Sequence, residues 1–259
     1  MRALPQGTFF EGLDERPPIG FIRPMSTHDI DHLKHQAAAR AVEYVQNGMK
    51  VGLGSGSTSE AFINLLGARV RGGLDIIGVP TSERTAQLAR SLGIALGNLN
   101  DLAPLDLDVD GADESDHNLD LIKGGGGALL REKIVAASAK KFIVMIHGPK
   151  LVEKMGAFPL PIEVLEFGHA ETARRLQAAI AAQGYGEVPL KLRMKGEAIY
   201  KTDSNNVIYD AAFGPVIAET AKLATALSCV PGVVEHGLYI GIASTLIIAR
   251  PEGIEVIER

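Results

Sequence analysis

Three short stretches of the chain combine residue types that can hold an anion and move a proton. In Val51-Gly52-Leu53-Gly54-Ser55-Gly56-Ser57-Thr58, alternating glycines lead into hydroxyl residues and then into a helical pattern. Glycine lets the backbone approach a ligand closely, and the following helix presents the positive end of its dipole, an arrangement suited to phosphate. Ser55, Gly56, Ser57 and Thr58 are therefore the expected phosphate contacts, and Ser57 with Glu60 has the S-x-x-E spacing of a capping box. The loop lacks the Walker lysine and the third dinucleotide glycine. The next strand ends Val79-Pro80-Thr81 without the acid that would hold a ribose, so neither nucleotide motif fits.

The second stretch, from Leu105 to Asp113, alternates strictly: Leu105, Leu107 and Val109 fall on one face of a strand, and Asp106, Asp108 and Asp110 on the other. Asp106 and Asp108 read as the solvated side of an exposed edge strand. Asp110 and Asp113 fall where the strand ends, and carboxylates brought close perturb one another in a way that suits proton transfer. The third stretch is Lys123 followed by Gly124-Gly125-Gly126-Gly127 and a helix. A cation before four glycines and a helix N-terminus after them make a second anion-seeking turn, the competing reading being a flexible hinge. In that helix Glu132 has apolar Ala128, Leu129, Val135 and Ala136 as neighbours, which would desolvate it and raise its pKa into the range of a useful base. Lys133 has equally apolar neighbours, so spacing alone leaves open a base at Glu132 or a buried structural pair.

These stretches need a frame. From Ser26 onward, helical patterns alternate with short apolar strands at Val51–Leu53, Asp75–Val79, Leu105–Asp110 and Phe142–Ile146. That rhythm predicts an α/β fold, a Rossmann-like parallel sheet whose ligands lie at the strands' carboxyl ends. After Pro159-Leu160-Pro161 the order becomes strand, helix, two strands, helix, strand, which predicts a smaller α+β (ferredoxin-like) domain. Within it, residues 195–210 read as a hairpin with Asn205-Asn206 near its turn, and Pro215 as the opening residue of a helix. The predicted division is a tail at residues 1–24, the Rossmann-like domain at 25–157 plus about 240–259, and the small domain at 158–239. Met25 reads as a candidate natural start.

Composition narrows the partners. The 259 residues carry 26 Lys+Arg against 31 Asp+Glu, a net charge of -5, with 5% aromatics and no Trp. Such a chain has no general attraction for nucleic acid or anionic membrane, so any anionic ligand must be held by a local site. The single cysteine, Cys229, excludes an intrachain disulfide and reads as a small buried hydrophobe in a reducing compartment, with the cytoplasm as the expected location. No apolar run is long enough to span a membrane. His28, His32 and His35 share a helix face with Asp29, Asp31 and Lys34 and read as a solvated face rather than a metal site. Arg174 and Arg175 read as solvated or interface residues, and His236 carries no assigned role.

The blocks GLGSGST, DVDGADE, LIKGGGGALLREKIVA, FPLPIEV, TDSNN and PGVVEHGL, in this order, make the chain resemble type A ribose-5-phosphate isomerase from Thr27 nearly to the C-terminus. The resemblance implies a metal-free, cofactor-free aldose–ketose isomerase of the non-oxidative pentose phosphate pathway. It would interconvert D-ribose 5-phosphate and D-ribulose 5-phosphate through a cis-enediol(ate) as a homodimer. It further implies that Glu132 is the base and that Lys123 stabilises the enediolate oxygens. Asp110 and Asp113 would assist ring opening, and Gly111, Ala112, Gly124, Gly125, Gly126, Lys150 and Lys34 would contact the substrate. Before Lys150 the chain has His147-Gly148-Pro149, where the family commonly shows an Asp and a Ser. Two rival readings are a Mg-dependent D-x-D-G phosphatase with Asp108 as nucleophile and a non-catalytic sugar-phosphate sensor.

Overall fold

The structure is a computed structural model and describes residues 26–259. The readings of residues 1–24 as a tail and of Met25 as a start lie outside the described residues. A seven-stranded sheet organises the larger part of the chain. Its order is Gly253–Glu258, Thr245–Arg250, Phe142–His147, Leu107–Gly111, Lys50–Leu53, Ile77–Pro80 and Ala95–Leu96. Every neighbouring pair is parallel except the last two strands of the chain, Thr245–Arg250 and Gly253–Glu258. Both faces of a parallel sheet are covered, and the strand Phe142–His147 is accordingly apolar up to its last residue. Along Phe142–His147, Ile143 and Met145 join one core cluster while Phe142, Val144 and Ile146 join another.

The first of these clusters is packed by the helices Thr27–Val42 and Ser57–Arg71. Ser26 caps the former through a reciprocal box with Asp29. The box expected at Ser57 and Glu60 does not form: Gly56 is the N-cap, with no side-chain cap bond, and Glu60 pairs with Arg84. The hydroxyls at this helix start are left for other partners.

The aspartate strand corrects the expectation of an exposed edge. Leu107–Gly111 is the middle strand of the sheet, and Asp108 and Asp110 are fully buried. Leu107 and Val109 face the first cluster, so the two aspartates face the opposite side, where Val135 of the helix Leu129–Ala137 packs over Gly52 and Asp108. Asp106, at the strand's entrance, is paired with Lys140 and accepts from the Lys50 N–H.

A smaller, four-stranded antiparallel sheet, called the small sheet below, has the order Val233–His236, Leu160–Val164, Val207–Ala211, Leu190–Leu192, with the helices His169–Ala182 and Thr220–Ser228 packed on it. In chain order this is fourth, first, third, second, the split-βαβ arrangement predicted from the element sequence. The predicted hairpin is built differently. Met194–Lys195 and Ala198–Ile199 pair across the Gly196-Glu197 turn, whereas the Asn205-Asn206 segment leads into Val207–Ala211, which pairs with Leu160–Val164 and Leu190–Leu192. Asn205 takes a left-handed backbone (φ 64), the reason a turn signal sits there. Pro215 does not open a helix, which begins at Thr220. Cys229 caps the end of that helix and is exposed rather than buried.

A three-stranded sheet, Leu238–Tyr239, Leu121–Ile122 and Glu114–Ser115, takes two strands from the segment after Leu107–Gly111 and one from the segment after Val233–His236. Lys123 leaves it directly, its N–H bonded to the Gly237 carbonyl. No helix among the described residues is long and apolar enough to cross a membrane. His28, His32 and His35 are exposed, as are Arg174 and Arg175, both of which pair with Glu171 on their own helix.

Candidate active site

The carboxyl ends of Lys50–Leu53 and Leu107–Gly111 open into a cavity of about 240 Å³. The first glycine loop lines one side with Ser55, Gly56, Ser57 and Thr58. Gly111, Ala112 and Asp113 line it where the strand Leu107–Gly111 ends, and Gly124, Gly125 and Gly126 line it from the second turn. Lys123, Glu132 and Lys150 complete the lining. Two of the predicted residues stand outside it. Asp110 lies one layer below, bonded to Lys123, and Lys34 is bonded to Asp31, though its charge is felt at His147 and Lys150.

Asp110 is buried because it is fully satisfied. Its Oδ1 accepts from the Ser55 N–H (3.0 Å), the Ser59 hydroxyl (2.8 Å) and the Gly111 N–H (2.7 Å), and its Oδ2 accepts from Lys123 Nζ (2.8 Å). A buried carboxylate is tolerated only with such partners. The same network explains Gly54: a Cβ there would lie 2.0 Å from Asp110 Oδ1. The Ser55 hydroxyl is held by Thr81, Ser82 and Thr85, which fixes the loop from the neighbouring strand and helix.

Lys123 is 3% exposed and donates to Asp110 Oδ2 and to the Gly111 carbonyl (2.6 Å). Its Nζ lies 3.3 Å from Glu132 Oε2, close enough for charge pairing, yet that oxygen accepts no directed hydrogen bond. Burial alone would lower the Lys123 ammonium, but Asp110 and Glu132 hold its pKa above the usual lysine range, so it stays charged. For Glu132, burial dominates. Although Lys123 opposes it, the carboxyl is pushed up to about 8, with Asp110 adding to the rise. A buried carboxyl facing a cavity, beside a fixed cation and with one oxygen free of directed bonds, has the properties of a general base.

Lys133 shows why its neighbours on the helix could not decide between them. It turns to the small sheet, donating to Glu235 Oε1 (2.6 Å) and the His236 carbonyl (2.6 Å), so it is a structural tie and Glu132 alone faces the cavity. Burial, and then the Lys133 charge, lower the pKa of His236 to about 4, which keeps that imidazole neutral inside the tie. Lys150 donates to the Ala112 carbonyl (2.5 Å), and burial lowers its pKa. His147, half buried beside it, is lowered by burial and then by Lys150 and Lys34.

Other buried residues lie around the site, and one of them, Tyr239, carried no sequence signal. Tyr239, fully buried, donates to the Leu129 carbonyl (2.7 Å) at the start of the Glu132 helix, and its ring stands 5.6 Å from Lys123 Nζ. Glu163 is buried in the small sheet and accepts from Thr202 (2.8 Å) and Asn206 (2.9 Å), joining two of the sequence blocks, FPLPIEV and TDSNN. Asp108, the nucleophile of the phosphatase reading, is buried under Gly52 with both oxygens unpartnered and does not line the cavity. Burial, and then Asp110, raise its pKa well above its ordinary value, which disfavours the charged nucleophile that the phosphatase reading requires.

Residues 77–253 match the family described as ribose 5-phosphate isomerase A (phosphoriboisomerase A). The chain is 54% identical over 232 residues to "Ribose-5-phosphate isomerase A" of Rhodopseudomonas palustris strain TIE-1, covering 89% of this chain and 99% of that protein. It is 53% identical over 229 residues to the protein of the same name from Parvibaculum lavamentivorans, covering 88% and 98%. Among solved structures, ribose 5-phosphate isomerase from Plasmodium falciparum superposes with a TM-score of 0.84 at 34% identity, covering 88% of this chain and 99% of that one. A D-ribose-5-phosphate isomerase in complex with phospho-erythronic acid does so with 0.82 at 36% identity, covering 89% and 99%. Neither the phosphatase nor the sensor reading finds support in these matches or in the buried position of Asp108. The chain belongs to the ribose 5-phosphate isomerase A family.

Proposed function

We propose that the cavity between the two glycine turns interconverts D-ribose 5-phosphate and D-ribulose 5-phosphate with Glu132 as the base. The observation that carries this is the pairing of a buried, cavity-facing Glu132 with a permanently charged Lys123 3.3 Å away. In the open-chain aldose, Glu132 takes the proton from C2 and the C–H electrons pass onto the C1 carbonyl oxygen, giving a cis-enediolate. The O2 hydroxyl proton passes to O1, the protonated Glu132 returns its proton to C1, and the electrons left on O2 form the C2 ketone. Atoms and electrons balance within the sugar, so the chain's own residues suffice.

Lys123 stabilises negative charge on the enediolate oxygens, a preorganised cation that needs no rearrangement during the reaction. Asp110 holds Lys123 in place from below, and Asp113, at the rim, assists ring opening and hydroxyl proton transfer. Ser55, Gly56, Ser57 and Thr58 take the phosphate at the start of the helix Ser57–Arg71, with Lys150 beside them and Lys34 at the same end. Gripping the remote phosphate spends binding energy on orienting C1 and C2. The wider reading includes the two-domain division at about residues 158 and 240, a homodimer and a cytoplasmic location. It is supported by the family resemblance, and gel filtration with light scattering measures the dimer.

The test is a coupled isomerisation assay with chelator present, comparing the parent with Glu132→Gln. The parent retains full activity, and the variant loses roughly 100- to 10,000-fold in kcat while still binding sugar phosphate. Chelator-sensitive activity, or a variant within tenfold of the parent, would refute the assignment.

A further inference from the structure

The second glycine turn is gripped from the side away from the substrate. Arg193 follows the strand Leu190–Leu192 of the small sheet and forks onto Asp210, Nε to Oδ2 at 2.9 Å and Nη2 to Oδ1 at 2.5 Å. With its plane fixed in this way, its Nη1 donates to two successive carbonyls, Gly124 O (3.0 Å) and Gly125 O (3.2 Å). Tyr200 adds a longer contact to the third, Gly126 O at 3.4 Å. Arg193 is only 16% exposed and does not line the cavity.

The consequence follows from the planarity of the peptide group. In a trans peptide the C=O and the N–H of the next residue point in opposite directions, and the peptides of this turn are trans. A cation that draws the Gly124 and Gly125 carbonyls toward the small sheet turns the N–H groups of Gly125 and Gly126 the other way. The Gly125 N–H duly meets Asp113 Oδ2 at 2.8 Å. The Gly126 N–H has no partner within the described residues, and Gly126 lines the cavity. Within the turn the Gly127 N–H donates to the Gly124 carbonyl (2.9 Å), but nothing in the four glycines holds the central Gly125–Gly126 peptide, which glycine leaves free to face either way. The orientation of that peptide must be selected from outside the turn.

We infer that Arg193 is a positioning residue for the isomerisation: by holding the Gly124 and Gly125 carbonyls it aims the Gly125 amide at Asp113 and the Gly126 amide at the reacting end of the sugar. The inference rests on the proposed reading of the cavity as the sugar site. It gives the small sheet a part in the chemistry although it supplies no lining side chain through Arg193. Lysine cannot replace this arginine fully, because a single ammonium cannot both fork onto Asp210 and bridge two carbonyls.

The experiment compares the parent, Arg193→Gln, Arg193→Lys and Glu132→Gln by thermal melting, kcat/KM, and affinity for phospho-erythronic acid and for inorganic phosphate. Arg193→Gln should melt cooperatively, lose about 10- to 100-fold in kcat/KM, and lose phospho-erythronic acid affinity by a similar factor. Inorganic phosphate, held by the other loop, should bind within about twofold of the parent. Arg193→Lys should fall between the two. Activity and acid affinity within about twofold of the parent in Arg193→Gln would overturn the inference, as would equal weakening of acid and phosphate, which marks general collapse of the pocket. If Arg193→Gln fails to fold, Arg193→Lys decides on the same criteria. Full activity in Glu132→Gln would instead sink the reading of the cavity itself, so the two failures are distinguishable.

Discussion

The two glycine turns face each other across one cavity but owe their shapes to different parts of the molecule. The first, Gly54 to Thr58, is fixed by the large sheet and the helix Glu83–Ser91 that follows its neighbouring strand: Asp110 holds the Ser55 amide, and Thr81, Ser82 and Thr85 hold its hydroxyl. Glycine is needed at position 54 because a carboxylate occupies the place of its Cβ. The second, Gly124 to Gly127, closes on itself through the Gly127 N–H and the Gly124 carbonyl and is otherwise held by Asp113 at the cavity rim, by Arg193 at the end of a small-sheet strand and by Tyr200 after the hairpin Met194–Ile199. Gly124 and Gly127 are needed there for their left-handed backbones (φ 103 and 83). A phosphate-type loop can thus be built within a βα unit, whereas a turn of consecutive glycines takes its orientation from whatever grips it.

Substitutions that treat the turns alike should therefore have unlike effects. The largest is expected for Gly54→Ala. Its new methyl would overlap an Asp110 that four hydrogen bonds prevent from moving. Chemical denaturation should show a loss of about 3 kcal/mol or more, because a buried charge network must break. Gly127→Ala comes next. It combines a positive φ with a Cβ 2.3 Å from the Tyr200 hydroxyl, whose ring end can swing away, so a loss of about 1–2 kcal/mol is expected by the same measurement. Gly126→Ala should be the mildest, within about 0.5 kcal/mol of the parent, since no atom lies within 4 Å of its added carbon.

Between the turns, Glu132 links stability to pH. Its folded pKa of about 8 lies above its ordinary value of 4.5, so the folded state keeps a proton that the unfolded chain releases. Stability from this group is complete below about pH 4.5 and is lost as pH rises toward 8. Glu132→Gln, neutral throughout, should become more stable relative to the parent across that window. Melting curves at a series of pH values check this, and a constant difference would contradict it.

Much of this site was legible in the sequence because its parts are local. The glycine loop, the Asp110–Asp113 strand end and the Lys123–glycine turn each announce themselves within a dozen residues, and strands alternating with helices place all three at one sheet edge. The burial of Asp108 was not legible, since alternating apolar and acidic residues normally mark a half-exposed strand, and here Lys123 and the glycine loop compensate Asp110 from distant positions. Glu132 and Lys133 were indistinguishable by helical neighbours. Glu235 and His236, about a hundred residues away, settle which of the two turns from the cavity. Arg193 and Tyr200, on either side of the hairpin Met194–Ile199, reach the second turn from about seventy residues away and leave no local pattern.

The central claim, that Glu132 carries hydrogen between C2 and C1, is tested most directly by following ribose 5-phosphate deuterated at C2 by NMR in ordinary water. The parent should remove the C2 deuterium, passing part of it to solvent and part to C1, at a rate that climbs with pH as Glu132 ionises near 8. Glu132→Gln, shown to bind phospho-erythronic acid, should leave the label at C2. Release of deuterium by that variant at the parent's rate, or a parental rate that stays flat from about pH 6 to about pH 9, would contradict the account.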